Sequence, residues 1–428
     1  MSRIRLSRRP AHARREREPG KRSALDILVI ARCPAWPLDL GDRLILYHVT
    51  RDLEQRGHCM DLLAFYQRVR DLADVPFYDR AFRIVHLVRE PARPAWKYLV
   101  RRYRPQRRFP ARAERAWSPE MWRAVEERLR LSSYDVVFLF GGVATYEYFW
   151  LVRNMPNVIA AYESYTLLLE RAVRHAPGFA ARWAAKLQLN MARNYESWMF
   201  SGFDRVVALA APDADALRAL DSSLRVAVIP NGVDPDYFAP TMEDHGEPVL
   251  LFTGNFGYAP NVDAARVLID DVMPHVRAQI PDAHLMLVGV DPPASLQAAQ
   301  CAHITVTGRV PDMRPYFERA SVYVSPLRVG AGVKNKVLEA MAMAKPVIAT
   351  PLSCDGLDIT SGQNVILAQD APAIAEGAVR VLRDRDLRRR LAQGARALVR
   401  SRYTWRQTAE RYESLFYQVV EERRLSGG

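Results

Sequence analysis

The sequence predicts an α/β protein built from two doubly wound, parallel-sheet domains, and three observations lead there. Short apolar runs alternate with longer amphipathic ones from Ala24 onward; the alternation breaks in a Pro-, Gly- and acid-rich stretch at 229–248; it then restarts with the same grammar. At 428 residues, 49% of them hydrophobic, the chain has length for about two to three domains, and the single break argues for two.

In the first half "LDILVI" (25–30), "HCMDLLAF" (58–65), "FRIVHLV" (82–88), "YDVVFLF" (134–140), "NVIAAY" (157–162), "DRVVAL" (204–209) and "RVAVIP" (225–230) read as strands. Such runs of Val, Ile and Leu suit strands buried on both faces. Helical patterns fall between them, among others at 42–56, 118–131 and 179–201. In the second half "PVLLFTGN" (248–255), "HLMLVGV" (284–290), "HITVTGRV" (303–310), "SVYVSPL" (321–327), "PVIATP" (346–351) and "NVILAQ" (364–369) read as strands. Helices are expected at 261–279, 312–320, 333–344, 371–384 and 386–402, with Met341 and Met343 in the core. The last segment, "YTWRQTAERYESLFYQVVEERR", is an amphipathic helix suited to packing back on the first domain. The expected organisation is a disordered basic arm (1–23), an N-terminal domain (24–229), a linker (230–247), a C-terminal domain (248–402) and a returning helix (403–428).

The net charge of +13 and pI of 9.7 raise the question of nucleic acid, and the location of the charge answers it. Residues 1–22 hold nine Lys/Arg against two Glu, and residues 99–115 hold seven Arg against one Glu; these two stretches account for the whole excess. Two local basic elements are not the distributed footprint of a nucleic-acid binder, so no nucleic-acid partner is expected. The second stretch interleaves its arginines with Trp96, Leu99, Tyr103 and Phe109, which suits an anionic membrane surface or a solvated loop. No apolar run reaches the roughly 18 residues of a membrane span. Cys33, Cys59, Cys301 and Cys354 are scattered without a C-x-x-C, which favours a reducing cytoplasm and neither zinc nor disulfides.

In sheets of this kind ligands bind beyond the carboxyl ends of the strands. That rule selects Gly41, Asp42, Gly141, Gly142 and Glu163 from the first half, and Gly254, Asn255, Gly257, Gly308, Arg309, Val310, Ser325 and the 330–334 loop from the second. The richest stretch is "GAGVKNKVLEAMAMAKPVIAT" (330–350). Gly330 and Gly332 let backbone amides approach a ligand, and a helix starting just beyond them would turn its positive end toward an anion. Lys334 and Lys336 add mobile positive charge, and Glu339 follows Lys336 by three positions, on the same side of the helix. A phosphate alone does not need the glutamate; a ligand with phosphates and hydroxyl groups uses every part. The same residues can also be read as a surface ion pair, Gly254 and Asn255 as a tight turn, and Glu163 as a cap. His48, His58 and His86 fall inside helix and strand patterns and read as packed. Asp234-x-Asp236 sits in the linker and reads as a turn, so no metal is predicted.

Five features, "IPNGVDPDYF", "LLFTGNFGYAPNVDA", "LMLVG", "VTGRVPDMRPYFERASVYVSPL" and "KVLEAMAMAKPVIAT", resemble in order and spacing the family 4 glycosyltransferases of the GT-B fold. The resemblance covers residues 229–351; the N-terminal half is similar only in outline, through "LGDRLILYHVTRDLEQRGHCMDLLAF". It implies two Rossmann-like domains facing across a cleft. It implies a retaining transfer from a nucleotide diphosphate sugar to a saccharide or lipid-linked acceptor, with no cofactor. Glu339 matches the second of the family's two glutamates, which binds the donor ribose; Ala331 stands where the first would be. The basic pair that the family commonly places after the first strand of its second domain is also missing, since no Lys or Arg precedes Arg266 there. A variant of the family, G-x-G-x-K-x-K followed by E, matches Gly330, Gly332, Lys334, Lys336 and Glu339, and implies that the two lysines neutralise the diphosphate. By the same resemblance Glu163 faces the acceptor as a candidate base. An envelope or exported polysaccharide made at the cytoplasmic side of a membrane is the expected setting. A nicotinamide-dependent oxidoreductase would also use twin α/β domains, but "ILVIARCPAWPLDLGD" holds one glycine and no G-x-G-x-x-G. A degenerate transferase that binds a nucleotide or glycan without turnover is the remaining alternative.

Overall fold

The computed structural model describes residues 3–6, 23–38, 41–72, 76–92, 109–175, 178–241, 246–329 and 335–426. The chain forms two compact units, one of Met1–Ile229 with Thr408–Gly428 and one of Pro230–Gln407.

The first unit holds β1 (Arg3–Leu6), β2 (Asp26–Ala31), β3 (Cys59–Tyr66), β4 (Ile84–Arg89), β5 (Val136–Phe140), β6 (Asn157–Tyr162), β7 (Arg205–Ala208) and β8 (Val226–Val228). They make one sheet in the order β1-β4-β3-β2-β5-β6-β7-β8, all parallel except β1, which runs antiparallel to β4. The strand β1 corrects the expectation that residues 1–23 are wholly disordered. Arg3 pairs with Leu87 and Leu6 with Ile84, because β4 closes the parallel set and leaves a row of backbone groups to be paired.

Every residue of β5 is buried, as a central parallel strand requires. Met121, Trp122 and Val125 of the helix Pro119–Leu131 share its core with Val137 and Leu139. That helix starts where Ser118 accepts a hydrogen bond from the Met121 amide at 3.1 Å. Phe109, expected to face outward among arginines, instead stacks on Trp198 at 5.0 Å and meets Phe149 at 4.6 Å. Burying its ring against other aromatic side chains outweighs the polar character of the surrounding sequence. Trp96, Leu99 and Tyr103 lie outside the described residues. The helix Trp405–Ser426 completes this unit from Thr408 on, setting Tyr412 and Phe416 against Phe138 at 5.2 and 5.3 Å.

The second unit holds β9 (Val249–Thr253), β10 (His284–Val288), β11 (Ile304–Val306), β12 (Val322–Ser325), β13 (Val347–Ala349) and β14 (Ile366–Leu367), all parallel, in the order β11-β10-β9-β12-β13-β14. Both units are Rossmann-like: the strand order reverses once in each, between β2 and β5 and between β9 and β12. The helix expected at 261–279 is interrupted: Ala259–Arg266 and Met273–Gln279 are α-helical, and Val267–Val272 between them is π-helical. Pro274 explains the change, because it has no amide to offer and its ring crowds the carbonyl one turn back. The expected linker belongs to this unit. The Val233 amide bonds to the Tyr403 carbonyl at 2.8 Å, and a side chain on Gly232 would strike the Trp405 nitrogen at 2.4 Å. Among the described residues no helix is long and apolar enough to cross a membrane.

Candidate functional site

The second sheet reverses its strand order between β9 and β12, the position beyond which sheets of this kind bind ligands. The segment after β9 is held from beside and below. The Gly254 amide donates to the Val288 carbonyl at 3.0 Å and the Phe256 amide to the Val290 carbonyl at 2.8 Å, tying it to the end of β10. Asn255 accepts the Gly257 amide on its side-chain oxygen at 2.9 Å and receives Asn261 Nδ2 on its carbonyl at 2.8 Å. The amides of Gly254 and Gly257 are therefore engaged within the protein. Gly289, which follows β10, has φ 156°, and a Cβ there would lie 1.7 Å from the Gly254 carbonyl oxygen. Only glycine fits this contact; its sign in the sequence is a glycine directly after a strand, in "LMLVG".

From the other side of the reversal comes the helix Asn335–Ala342, which begins just past the 330–334 loop. Gly330, Ala331, Gly332 and Lys334 lie outside the described residues. Lys336 places its ammonium 2.5 Å from Asn261 Oδ1 and 4.6 Å from the centre of the Phe252 ring, directly beyond β9. One side chain, Asn261, thus clamps both the loop after β9 and the lysine. The charge missing from the β9 loop arrives from the helix Asn335–Ala342. Arg328, after β12, also reaches over, with Nε 3.0 Å from Asp263 Oδ2 and a second hydrogen bond to Asp263 Oδ1. Glu339 stands one turn beyond Lys336 and is half-buried; burial pushes its carboxyl up to about 7, against the pull of the Lys336 charge. Neither Asn261 nor Arg328 stands out in the sequence, because each matters only through a contact with another element.

Ser325 is fully buried at the end of β12, with its hydroxyl 3.0 Å from Ser353 Oγ, whose own oxygen lies 3.0 Å from the Thr350 hydroxyl. It fixes the backbone at the end of β12 against the turn at Pro351–Cys354. Arg309 is exposed after β11 and Val310 half-buried, and among the described residues the Arg309 side chain has no partner. Asp234 Oδ1 accepts the amides of Asp236 and Tyr237 at 3.1 and 3.0 Å, which makes the D-x-D stretch a turn.

In the first unit, Gly41 opens the helix Gly41–Gln55, and Asp42 accepts the Arg43 amide at 3.0 Å and pairs with Arg32 Nε at 3.2 Å. Gly141, with φ 113°, lies so close to Arg32 that a Cβ would meet its Cγ at 2.4 Å; Gly142 follows with φ 40°. Asp42, Arg32 and Gly141 therefore gather at the ends of β2 and β5, the reversal in this sheet. Glu163 is exposed just past β6, after Tyr162, which sits at φ 68° beside a register shift in the pairing with β7. A left-handed tyrosine is strained and marks the position. His58 bridges the Leu25 amide at 3.0 Å and Glu413 at 2.9 Å, a packing role.

Comparison with known proteins adds identity to this geometry. Residues 44–237 match the model described as Glycosyltransferase Family 4, and residues 247–384 the one described as Glycosyl transferases group 1. A lipopolysaccharide 1,2-N-acetylglucosaminetransferase of Salmonella typhimurium is 24% identical over 216 residues, covering 44% of this chain and 55% of that protein. The curated relatives are matched over 26 to 55% of their own length. Among solved structures, sucrose-phosphate synthase of Thermosynechococcus elongatus superposes with a TM-score of 0.69 at 20% identity, covering 93% of this chain and all of that one. The Anabaena protein HepE, in complex with UDP-glucose, has a TM-score of 0.61 at 15% identity, covering 92% of this chain and all of that one. With two family models laid end to end on its two Rossmann-like units, the chain belongs to the family 4 glycosyltransferases of the GT-B fold.

Proposed function

We propose that the chain is a retaining glycosyltransferase that moves a sugar from a nucleotide diphosphate sugar, held by the second unit, to a saccharide or lipid-linked acceptor held by the first. The observation that carries the reading is the Lys336 ammonium fixed by Asn261 beyond β9, one turn from Glu339 and at the reversal of the sheet. Departure of a nucleoside diphosphate builds negative charge. A preorganised ammonium there stabilises the transition state by several kcal/mol, and Lys334 is the second cation for that role. Glu339 takes the ribose hydroxyls, Gly330 and Gly332 admit the phosphates, and Arg309 and Val310 border the nucleotide. With the leaving phosphate accepting the acceptor's proton, retention needs no protein nucleophile, and Glu163 assists at the acceptor side. Envelope or exported polysaccharide synthesis is the setting that the Salmonella relative supports.

The test pairs thermal-shift titration of UDP, GDP, ADP and CMP with release of nucleoside diphosphate from the matching sugar donors. One nucleotide is expected to raise the melting temperature, and Glu339→Ala to abolish that shift. Lys336→Ala is expected to lower kcat/KM by about 10²–10³ with nucleotide binding retained. No shift with any nucleotide would refute the donor site, and binding without turnover would leave a nucleotide-binding module.

A further inference from the structure

The helix Gly178–Phe200 is packed along only part of its length. Its second half is anchored, with Leu189 and Ala192 buried against Leu169 and Val173 of the preceding helix Tyr165–His175. Its first three turns are exposed almost throughout. Phe179 is 86% exposed, Trp183 61% and Leu187 43%. Spaced by four, these side chains lie along one face, with the exposed Ala180 and Ala184 beside them. A helix of a folded domain normally turns such a row toward a core; left outside, it marks a binding face.

The charge around the row selects the partner. From Arg171 to Tyr195 the chain holds Arg171, Arg174, Arg182, Lys186 and Arg193 and not one Asp or Glu. Arg193 is answered by Glu170 at 2.7 Å. Arg174, Arg182 and Lys186 are exposed and, among the described residues, have no carboxylate partner. On the helical wheel Arg182 and Lys186 flank the edge of the Phe179–Trp183–Leu187 row. A second copy of the chain would bring these cations against their own kind across a two-fold contact, which disfavours self-association. A row of Trp, Phe and Leu edged by unpaired Arg and Lys matches the boundary of an anionic bilayer. There the rings sit at headgroup level and the cations meet lipid phosphates.

We propose that the exposed face of residues 178–188 docks this protein on an anionic lipid bilayer. The inference stands apart from the donor-site reading, since it requires neither nucleotide nor turnover. It assigns the membrane contact to residues other than Phe109 of the basic stretch, whose ring stacks on Trp198.

The test is co-sedimentation of the full chain with vesicles of phosphatidylcholine alone and with added phosphatidylglycerol, at low and high salt. Binding is expected only with phosphatidylglycerol, and weaker at high salt. The triple variant Phe179→Ser, Trp183→Ser, Leu187→Ser and the double variant Arg182→Glu, Lys186→Glu are each expected to weaken it about tenfold or more. All five residues are exposed, so circular dichroism, melting temperature and nucleotide affinity should match wild type. Wild-type-like vesicle binding by both variants would overturn the proposal and assign the contact to residues 1–22 or 99–108. Absence of binding to either vesicle would also overturn it, as would a concentration-dependent oligomer, seen by light scattering, that the triple variant abolishes.

Discussion

Glu339 shows what a single half-buried carboxyl does to this protein. Its folded value of about 7 exceeds the ordinary 4.5, so the folded chain holds the proton more tightly than the unfolded one. Stability contributed in this way is present below about 4.5 and is lost as pH rises through about 7. Glu339→Gln is therefore expected to raise stability near pH 8 by at most about 3 kcal/mol, with little effect near pH 5, as read by denaturant titration at the two pH values. Gly289→Ala is the opposite case. A methyl 1.7 Å from the Gly254 oxygen must displace backbone on one side or the other, at a cost of at least about 2 kcal/mol. A lowered melting temperature together with weaker nucleotide binding is the expected result. Lys336 and Glu339 were legible because they stand in one helix at a fixed spacing. Gly289 and Asn261 were not, because their roles depend on contacts with the loop after β9, supplied by other parts of the chain.

Among the elements, the parallel strands were the easiest to read. Val136–Phe140, for example, lies inside the predicted 134–140 run, since a strand covered on both faces is written as unbroken apolar sequence. The strand β1 gave no such signal: "RIRL" becomes a strand only because β4 has a free edge. The helix Tyr165–His175 is also hard to place from sequence, because its start is set from a distance by Glu196, which accepts the Tyr165 and Thr166 amides at 2.8 and 2.9 Å. The closing helix supports a prediction at this scale. Besides Tyr412 and Phe416 it buries Leu415, Val419 and Val420, and Arg56 binds Glu410 at 2.6 Å and Glu413 at 3.2 Å. At about 2 kcal/mol for each buried side chain, their loss rivals a whole domain's margin of about 5–15 kcal/mol. A chain ending at Gln407 is expected to lose the folded first unit, seen as unprotected amides in β2 to β5 by hydrogen exchange, while the second unit keeps its protection.

For the whole molecule, the proposed donor residues from Gly254 to Glu339 all fall within Pro230–Gln407. Nucleotide is thus expected to slow amide exchange at 249–257 and 335–342 and to leave β2 and β3 unchanged; protection of the first sheet instead would move the donor site there. The sequence announced two domains through its one break in pattern, yet the residues of that break are part of the second unit, with Val233 and Tyr403 side by side. The chain thus enters the second unit and leaves it at neighbouring points, and the second unit is an insertion within the first. A ribosome makes the seven parallel strands of the first sheet early but supplies Tyr412 and Phe416, which cover Phe138, only after the whole of the second unit. Folding during synthesis usually runs from the amino end. Here the unit begun second is the one finished first, and the unit begun first keeps an uncovered aromatic face until the segment after Gln407 has been made.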